Sequence, residues 1–339
     1  MHKIIFIIVY ISIKMSSKTH KVDKNYIQSI YKEVNEHIEN YQKDFNKDSE
    51  AFDSWSRTIC QPKYKLIKNL VYLLEQEETS FQDKQTIFAI FNQLLLINPT
   101  VSNQLKKFSS LPSILSEYLL KYKKDNGKND LSAVSTLSYS FTVEGYKNLI
   151  NLDLIQILFD SLNKVKDVNV IQNLVKVFIE MNYIYKDTDI NSNLFLQIYD
   201  KNENSSLVVE LTLRILNEEK DSLSIQKILF CIKSLMDIKQ KDIFYSKDLE
   251  AFIDIAINVL ESTEINELRC GILDILVKLT EFEEYYNIKY KEEELGNLLD
   301  DCSKSDMVTT EVQEKSQKVL DNINQKLNKE KLKDNEQGE

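Results

Sequence analysis

Residues 207–217, LVVELTLRILN, and residues 251–261, AFIDIAINVLE, decide the fold because the second stretch repeats the first. The two align at an offset of 44 residues, and apolar residues recur in both at the three- and four-residue spacing of one helix face. The matched pairs are Val208 with Phe252, Val209 with Ile253, Leu213 with Ile257, and Leu216 with Leu260. The repeated pattern predicts two amphipathic helices that bury equivalent faces.

The helical patterns that follow these two stretches also match each other, at an offset of 43 residues. An earlier helical pattern fits the same alignment at an offset of 54, which predicts an insertion within residues 182–206. The matched positions are Ile225, Leu229, Ile232 and Met236 with Leu268, Ile272, Ile275 and Leu279, and Ile171, Val175 and Phe178 before them.

Helix pairs that recur at just over forty residues are typical of armadillo and HEAT solenoids, in which stacking on a neighbour completes each core. The composition agrees, because 5 glycines and 3 prolines in 339 residues are too few for turn-dense β folds or glycine-looped α/β enzymes. We therefore predict an all-α, armadillo/HEAT-like helical solenoid. An irregular helical bundle is the alternative.

Four segments follow from the pattern along the chain. Residues 1–15 are an apolar leader or lie upstream of the true start, residues 16–122 form an N-terminal helical segment, and residues 131–305 hold the armadillo-like repeats. Residues 306–339 are predicted to form a capping helix that frays into a disordered tail beyond Lys329. The polar stretch 121–130 is the best candidate for a loop between lobes.

The apolar run IIFIIVYISI at 4–13 leaves the start of the chain open to more than one interpretation. Ten residues are too few to span a bilayer, which takes about twenty in a helix. The run fits the apolar region of a signal peptide, but no A-x-A-like cleavage site follows it. Initiation at Met15 or an unstructured leader is favoured over secretion, and no membrane span is expected.

Charge and cysteine usage narrow the class of protein further. The net charge of -10 repels nucleic-acid phosphate, so no nucleic-acid partner is expected. The 4 cysteines share no CxxC or short-loop spacing, which favours a reducing compartment without a disulfide framework or a zinc site.

No constellation of residues suggests catalysis. The only histidines, His2, His20 and His37, all precede the repeats, and no phosphate-binding, nucleophile-elbow or zinc-protease motif occurs. The acidic runs at 281–284 and 292–294 are interpreted as solvated helix ends rather than metal ligands. We expect a protein that is not an enzyme and has no cofactor and no metal.

Residues 243–255, IFYSKDLEAFIDI, and residues 267–286, ELRCGILDILVKLTEFEEYY, resemble the C-terminal leucine-rich domain of the WISH/DIP/Ldb family. The sequence departs from the animal members in showing no SH3 domain and no proline-rich segment, so binding to NCK is not implied. The positions that carry the resemblance are Phe244, Tyr245, Asp248, Ile253, Asp254, Ile255, Leu268, Arg269, Thr280 and Tyr285.

The resemblance implies an armadillo-type domain that binds and activates the Arp2/3 complex. In this family that activity seeds linear actin filaments without a pre-existing filament, which implies a role in the cortical actin of the cytoplasm and in endocytosis. The implied partner is the Arp2/3 complex, with the end of an actin filament reached through it. The alternative is a generic armadillo/HEAT scaffold for an unrelated partner.

Tyr245, Asp248, Asp254 and Arg269 are the candidate partner-binding residues. Asp248 also stands where a helix cap is expected, and Asp254 and Arg269 are expected on facing helices, where they could bridge one another instead of contacting a partner. Structural roles are favoured over binding for these polar residues.

Overall fold

The computed structural model describes residues 27, 28, 30–32, 34–36, 66–203, 205–238 and 244–336, and it describes no side chain at 97 or at 327–336. The predictions for residues 1–15 lie outside the described residues. Within the predicted N-terminal helical segment, Ile27, Ile30 and Val34 are described, and all three are buried.

Helices account for nearly all of the regular structure in the described part of the chain, which confirms the all-α prediction. From Leu66 onward they are α1 (Leu66–Glu75), α2 (Phe81–Ile97), α3 (Val101–Leu105), α4 (Leu111–Asn126), α5 (Leu131–Ser140), α6 (Val143–Tyr146), α7 (Leu152–Leu162), α8 (Val168–Tyr183), α9 (Leu194–Tyr199), α10 (Ser205–Glu218), α11 (Ser222–Ile238), α12 (Ser246–Ser262), α13 (Asn266–Leu279), α14 (Glu283–Ile288), α15 (Glu292–Lys304) and α16 (Thr310–Glu336). None of the described helices is both long enough and apolar enough to cross a membrane.

The chain divides into two compact units, Met1–Val177 and Phe178–Glu339. In the N-terminal unit, α1 pairs with α2 and α4 pairs with α5. The first helices of these pairs stack in the order α1, α4, α7, and the second helices α2 and α5 stack on each other. This is the arrangement of helix pairs in a solenoid.

The start of α5 shows how the N-terminal unit buries a polar contact. Asp130 caps the helix by accepting from the backbone N–H groups of Ser132 at 3.0 Å and Ala133 at 3.3 Å. Its other carboxylate oxygen accepts from the hydroxyl of Tyr118 at 2.6 Å. The ring of Tyr118 stacks on Phe81, with centroids 4.7 Å apart, so the cap is tied to the aromatic core.

The polar stretch 121–130 is a narrower turn than predicted. Helix α4 continues through Asn126 and ends at Gly127, whose φ of +65° is the left-handed conformation of a C-terminal cap. Lysine and aspartate side chains on the exposed face of α4 do not stop a helix, so only residues 127–130 leave it. The stretch joins α4 to its partner α5, and the two units separate instead within α8.

The C-terminal unit contains three helix pairs, α10 with α11, α12 with α13, and α15 with α16. The first helices stack in the order α10, α12, α15, and the second helices in the order α11, α13, α16. The repeat in the sequence is confirmed, since all matched positions in α10 to α13 are buried except Ile225, which is half-buried. Ile171, at the equivalent position of α8, is half-buried as well.

The insertion predicted within 182–206 contains a 3-10 helix at Ile190–Ser192 and the short helix α9. Asn193 caps α9 through backbone N–H groups of Phe195 and Leu196, and its side-chain amide donates to Asn182 Oδ1 at 2.7 Å. Both asparagines are buried, so this bond anchors the insertion to the end of α8.

The predicted capping helix is α16, which buries Val312 and Val319 completely. The helix is described to Glu336, and the fraying expected beyond Lys329 stays a prediction. Residues 330–336 contain no glycine or proline, which is compatible with a helix in this segment.

Candidate partner-binding surface

Tyr245 and Asp248 together form the start of α12. Tyr245 is the N-terminal cap residue, and its side chain is 67% exposed. Its backbone N–H donates to Asp248 Oδ2 at 3.0 Å, and the Asp248 N–H donates to the Tyr245 carbonyl at 2.9 Å. Asp248 therefore has the predicted capping role, from the third position of the helix rather than the first. The Tyr245 ring is left facing solvent.

Asp254 holds the segment between α14 and α15. Its carboxylate oxygens accept from the Tyr290 hydroxyl at 3.1 and 3.2 Å, and Oδ1 lies 3.0 Å from Lys291 Nζ. The hydrogen bond that Lys291 donates to Asp254 raises the pKa of Lys291. The expected bridge from Asp254 to Arg269 does not form among the described residues, because α12 directs Asp254 toward α14 and α15 instead of α13.

The segment that Asp254 holds is strained. Lys289 and Lys291 have φ values of 47° and 48°, which are left-handed conformations that residues with a Cβ adopt at a cost. Lys291 Nζ also lies 3.6 Å from Glu294 Oε2 and 5.8 Å from the centre of the Tyr290 ring. The contacts of Lys291 with Asp254 and Tyr290 offset this strain and fix the exposed edge beside α12.

Arg269 lies in the first turn of α13, near Cys302 of α15. Burial raises the pKa of the Cys302 thiol in α15, and the positive charge of the nearby Arg269 opposes that rise. The Nε atom of Arg269 is buried without a hydrogen-bond partner among the described residues. A buried unpaired donor is uncommon and costs free energy, so the Arg269 guanidinium is not explained by an ion pair within the array.

The four predicted residues thus fall into separate places. Tyr245 and Asp248 lie at the start of α12, Asp254 lies farther along the same helix, and Arg269 lies on α13. Tyr290 and Lys291 were not predicted from the sequence, because they lie between helix pairs and have no counterpart in the repeat alignment.

The row of second helices carries an ion-pair ladder that was not predicted from the sequence. Asp274 on α13 lies 2.8 Å from Lys233 Nζ on α11 and 2.8 Å from Lys315 Nζ on α16. Burial raises the pKa of Asp274, but the hydrogen bonds from the two lysines outweigh that effect and leave the pKa below its usual value. A repeat alignment that scored charged positions as well as apolar ones would have paired these residues.

The ladder also fixes the relative direction of these helices. Lys233 pairs with Asp274, and Asp237 with Lys278, each at a separation of 41 residues. Lys315 repeats the same interval from Asp274. Equal intervals in the same order along two helices require that the helices run parallel and that their first residues lie at one edge.

A groove of about 420 Å³ lies on this face, with Phe230, Cys270 and Gly271 among its lining residues. Helices α11 and α13 approach closely beneath it, because Gly271 has no side chain to hold them apart. The Lys233–Asp274–Lys315 ladder borders the same groove.

Residues 167–295 match the family model of the SPIN90/Ldb17 leucine-rich domain. None of the curated proteins compared with the chain matches it. Among solved structures, the chain is similar to the designed armadillo repeat protein YIII(Dq)4CqI at 14% sequence identity and a TM-score of 0.32, over 75% of this chain and 98% of that chain. The family match contains every residue on which the WISH/DIP/Ldb resemblance rests, from Phe244 to Tyr285, and confirms that resemblance.

Proposed function

Residues 167–295 of this chain are a leucine-rich domain of the SPIN90/Ldb17 family, and on that basis we propose that the protein is an actin-cytoskeleton adapter that activates the Arp2/3 complex. In this proposal it binds the complex and seeds linear actin filaments without a pre-existing filament. It acts in the cytoplasm at cortical actin and contacts the filament end through the complex. The family match over the helix pairs is the observation that carries the proposal.

A stacked array of helix pairs suits this activity because it offers an extended surface of fixed shape. A partner with several subunits changes its equilibrium between arrangements only if the binder prefers one of them. A surface that spans two or more helix pairs can supply that preference, since each pair contributes contacts at a set spacing. No chemical step is needed, which is consistent with a protein that is not an enzyme.

Tyr245 is the candidate residue best placed for contact with the complex. It is 67% exposed, and only its backbone takes part in the start of α12. Exposed aromatic residues often provide a large share of the affinity of an interface. An aromatic side chain that contacts only solvent contributes little to the stability of the fold, so its loss affects binding more than folding. Asp248 and Asp254 are held by contacts within the protein, and in this proposal they fix the backbone and the segment beside Tyr245.

Assembly of pyrene-labelled actin with purified Arp2/3 complex and no seed filaments tests the proposal directly. The protein is expected to shorten the lag in proportion to its concentration, and single-filament microscopy is expected to show unbranched filaments. If assembly with the protein is no faster than with Arp2/3 complex alone, the proposal is wrong.

The variant Tyr245→Ala separates binding from folding. It is expected to keep the wild-type melting temperature and to weaken binding to the Arp2/3 complex by about tenfold. The matched control is Tyr72→Ala, because Tyr72 is 55% exposed on α1 and lies outside residues 167–295. Equal affinity of both variants for the complex would remove Tyr245 from the proposed surface.

The groove on the second helices favours one other candidate function, a scaffold that binds a peptide of an unrelated partner. Its volume of about 420 Å³ and its mixture of aromatic and charged lining residues are suited to side chains of a peptide. Failure of the protein to bind the Arp2/3 complex, together with binding of a peptide that Phe230→Ala abolishes, would favour the scaffold.

A further inference from the structure

The C-terminal unit exposes one large apolar residue at the turn within each of its three helix pairs. Leu223 lies in the first turn of α11, Ile265 caps α13, and Met307 lies just before α16. Their side chains are 53%, 36% and 89% exposed. We call these three residues the turn ridge.

The turn ridge follows the repeat. Its members stand at positions 223, 265 and 307, two equal intervals of 42 residues. The ion pairs between the same helices have intervals of 41, so each ridge residue lies at nearly the same level as the next. Helices α11, α13 and α16 pack in this order, and the Asp274–Lys315 ion pair and the Asn322–Thr280 hydrogen bond show that α16 runs parallel to α13 as well. The three residues therefore lie at the same edge of the row. Packed helices are about 8 to 10 Å apart, so the ridge spans about 20 Å.

Acidic residues surround the turn ridge. Residues 218–221, 261–267 and 301–311 contain 9 carboxylates and 2 lysines. One of the lysines, Lys304, lies 2.6 Å from Asp300 and is already paired. Glu261, Glu264 and Asp306 are exposed and form no salt bridge within the described part of the chain. The rim is therefore strongly negative.

Helix capping accounts for part of this charge but not for the apolar side chains. Asp221 accepts from the Ser224 N–H and hydroxyl at 2.9 Å, and acids in the first turns of α13 and α16 complement the helix dipoles. Ile265 occupies the cap position of α13, but its side chain forms no capping hydrogen bond. The side chains of Leu223 and Met307 are exposed as well, and Met307 is almost fully exposed. Exposed apolar residues in line within a polar rim are typical of an interaction site.

We propose that the turn ridge is a docking site for a basic amphipathic helix of a partner protein, separate from the activity proposed above. Two turns of an α-helix rise about 10.5 Å, close to the spacing of the packed helices, so apolar residues seven positions apart would meet successive ridge residues. Lysine and arginine on the flanks of that helix would face the acidic rim. The negative rim selects a basic partner and disfavours an acidic one.

The probe is a fluorescent 18-residue peptide with leucine along one helix face, at every seventh position and at the positions beside these on the same face. All other positions are lysine. A shuffled peptide of the same composition, with leucine on all faces, measures attraction by charge alone. The combined variant Leu223→Ser, Ile265→Ser and Met307→Ser is expected to bind the probe about tenfold more weakly than the wild type. The matched control is Tyr72→Ser, Leu96→Ser and Leu152→Ser combined, whose side chains are 55%, 42% and 41% exposed in the N-terminal unit, and its affinity is expected to be unchanged.

Three results would overturn the proposal. The ridge variant could bind the probe as tightly as the wild type, the control variant could lose as much affinity as the ridge variant, or the shuffled peptide could bind as well as the probe. The other molecule that could cover the ridge is a second copy of this chain, and analytical ultracentrifugation tests for it. A wild-type dimer that the ridge variant cannot form would show that a second copy covers the ridge, in place of a basic helix. Melting temperatures of both variants near that of the wild type confirm that the affinities refer to folded protein.

Discussion

Gly271 on α13 lies directly against Leu229 on α11. A Cβ at Gly271 would lie 3.4 Å from Leu229 Cβ and only 2.9 Å from Leu229 Cδ1, and the second distance is closer than carbon atoms normally approach. The absence of a side chain at Gly271 therefore sets the distance between two neighbouring helix pairs. Because the Asp274 ladder and the groove both lie beside this contact, the spacing of these helices also sets the geometry of that face.

Substitution of Gly271 by alanine is expected to destabilise the protein in spite of the better helix propensity of alanine. Leu229 must move to admit the methyl group, and overpacking of this kind costs about 1 to 3 kcal/mol. The control is Gly296→Ala in α15, where nothing lies within 4 Å of the added Cβ and a gain of about 0.5 to 1 kcal/mol is expected. Denaturant unfolding measures both, and equal effects of the two substitutions would contradict the close contact.

The pH dependence of stability is expected to include a contribution from Asp274. Its pKa is lower in the folded protein than in the unfolded chain, where an aspartate titrates near about 3.9. The stabilisation is therefore complete above about pH 5 and is lost as the pH falls through the folded-state pKa. Between about pH 5 and pH 3, the free energy of unfolding is expected to fall less steeply in Asp274→Asn than in the wild type.

Asp300→Asn is the matched control for this measurement. Asp300 pairs with Lys304 one helical turn away at an exposed site, where an ion pair contributes little to stability. Its acid unfolding is expected to follow that of the wild type. The ladder would be unimportant for folding if Asp274→Asn and Asp300→Asn gave the same pH profile.

Lys289→Gly is expected to stabilise the protein by about 0.5 to 1 kcal/mol, because glycine adopts the left-handed conformation at the end of α14 without strain. Lys291 has the same conformation, but Lys291→Gly removes the ion pair with Asp254 and is expected to gain less. Thermal unfolding of both variants and of Lys289→Ala tests the cause. Lys289→Ala should not be stabilised, and a gain equal to that of Lys289→Gly would exclude relief of strain.

Leu213→Asp and Ile257→Asp are expected to unfold the C-terminal unit. Both side chains are 4% exposed and occupy matched positions of α10 and α12. An unpaired carboxylate in such a core costs several kcal/mol, which is a large part of the stability of a domain. Loss of circular dichroism or loss of the cooperative transition in both variants is the expected result, and a wild-type melt in either would show that its position is not core.

Arg269→Met tests whether the arginine is kept for folding or for a partner. Methionine keeps much of the side-chain volume and removes the buried, unpaired Nε, so the free energy of unfolding is expected to stay within about 1 kcal/mol of the wild type. If the guanidinium contacts the Arp2/3 complex, seeding of actin filaments falls while the melt is unchanged. Seeding at the wild-type rate would exclude that contact.

The repeated core could be predicted from the sequence because the spacing of apolar residues along a helix is a local property. Stacking of the helix pairs buries the face that this spacing marks. Val208, Phe252 and their matched partners could be aligned without knowledge of the fold, since every helix pair buries the same face. The repeat did not predict contacts of residues outside that face. Asp254 was expected to meet Arg269, but a turn of the connecting segment brings Tyr290 and Lys291 to it instead.

The bounds of the repeats were harder to predict for the same reason. The polar stretch 121–130 contains many charged residues, and charge along an exposed helix face does not distinguish a helix from a loop. The close contact of Gly271 with Leu229 had a visible signal, since glycine is rare in this chain and costs helix stability where it has no packing role.

The stacked order of the helix pairs also implies an order in which the C-terminal unit loosens. Each pair derives its main contacts from the pair before and the pair after it, so cohesion is shared among nearest neighbours, as along a row. The pair of α12 and α13 has a neighbour on both sides, and its amide hydrogens should exchange last with solvent. Tyr245, Asp254 and Arg269 lie on or directly beside that pair. The candidate surface therefore belongs to the part of the unit that is expected to unfold last, and local unfolding of an outer helix pair would leave it folded.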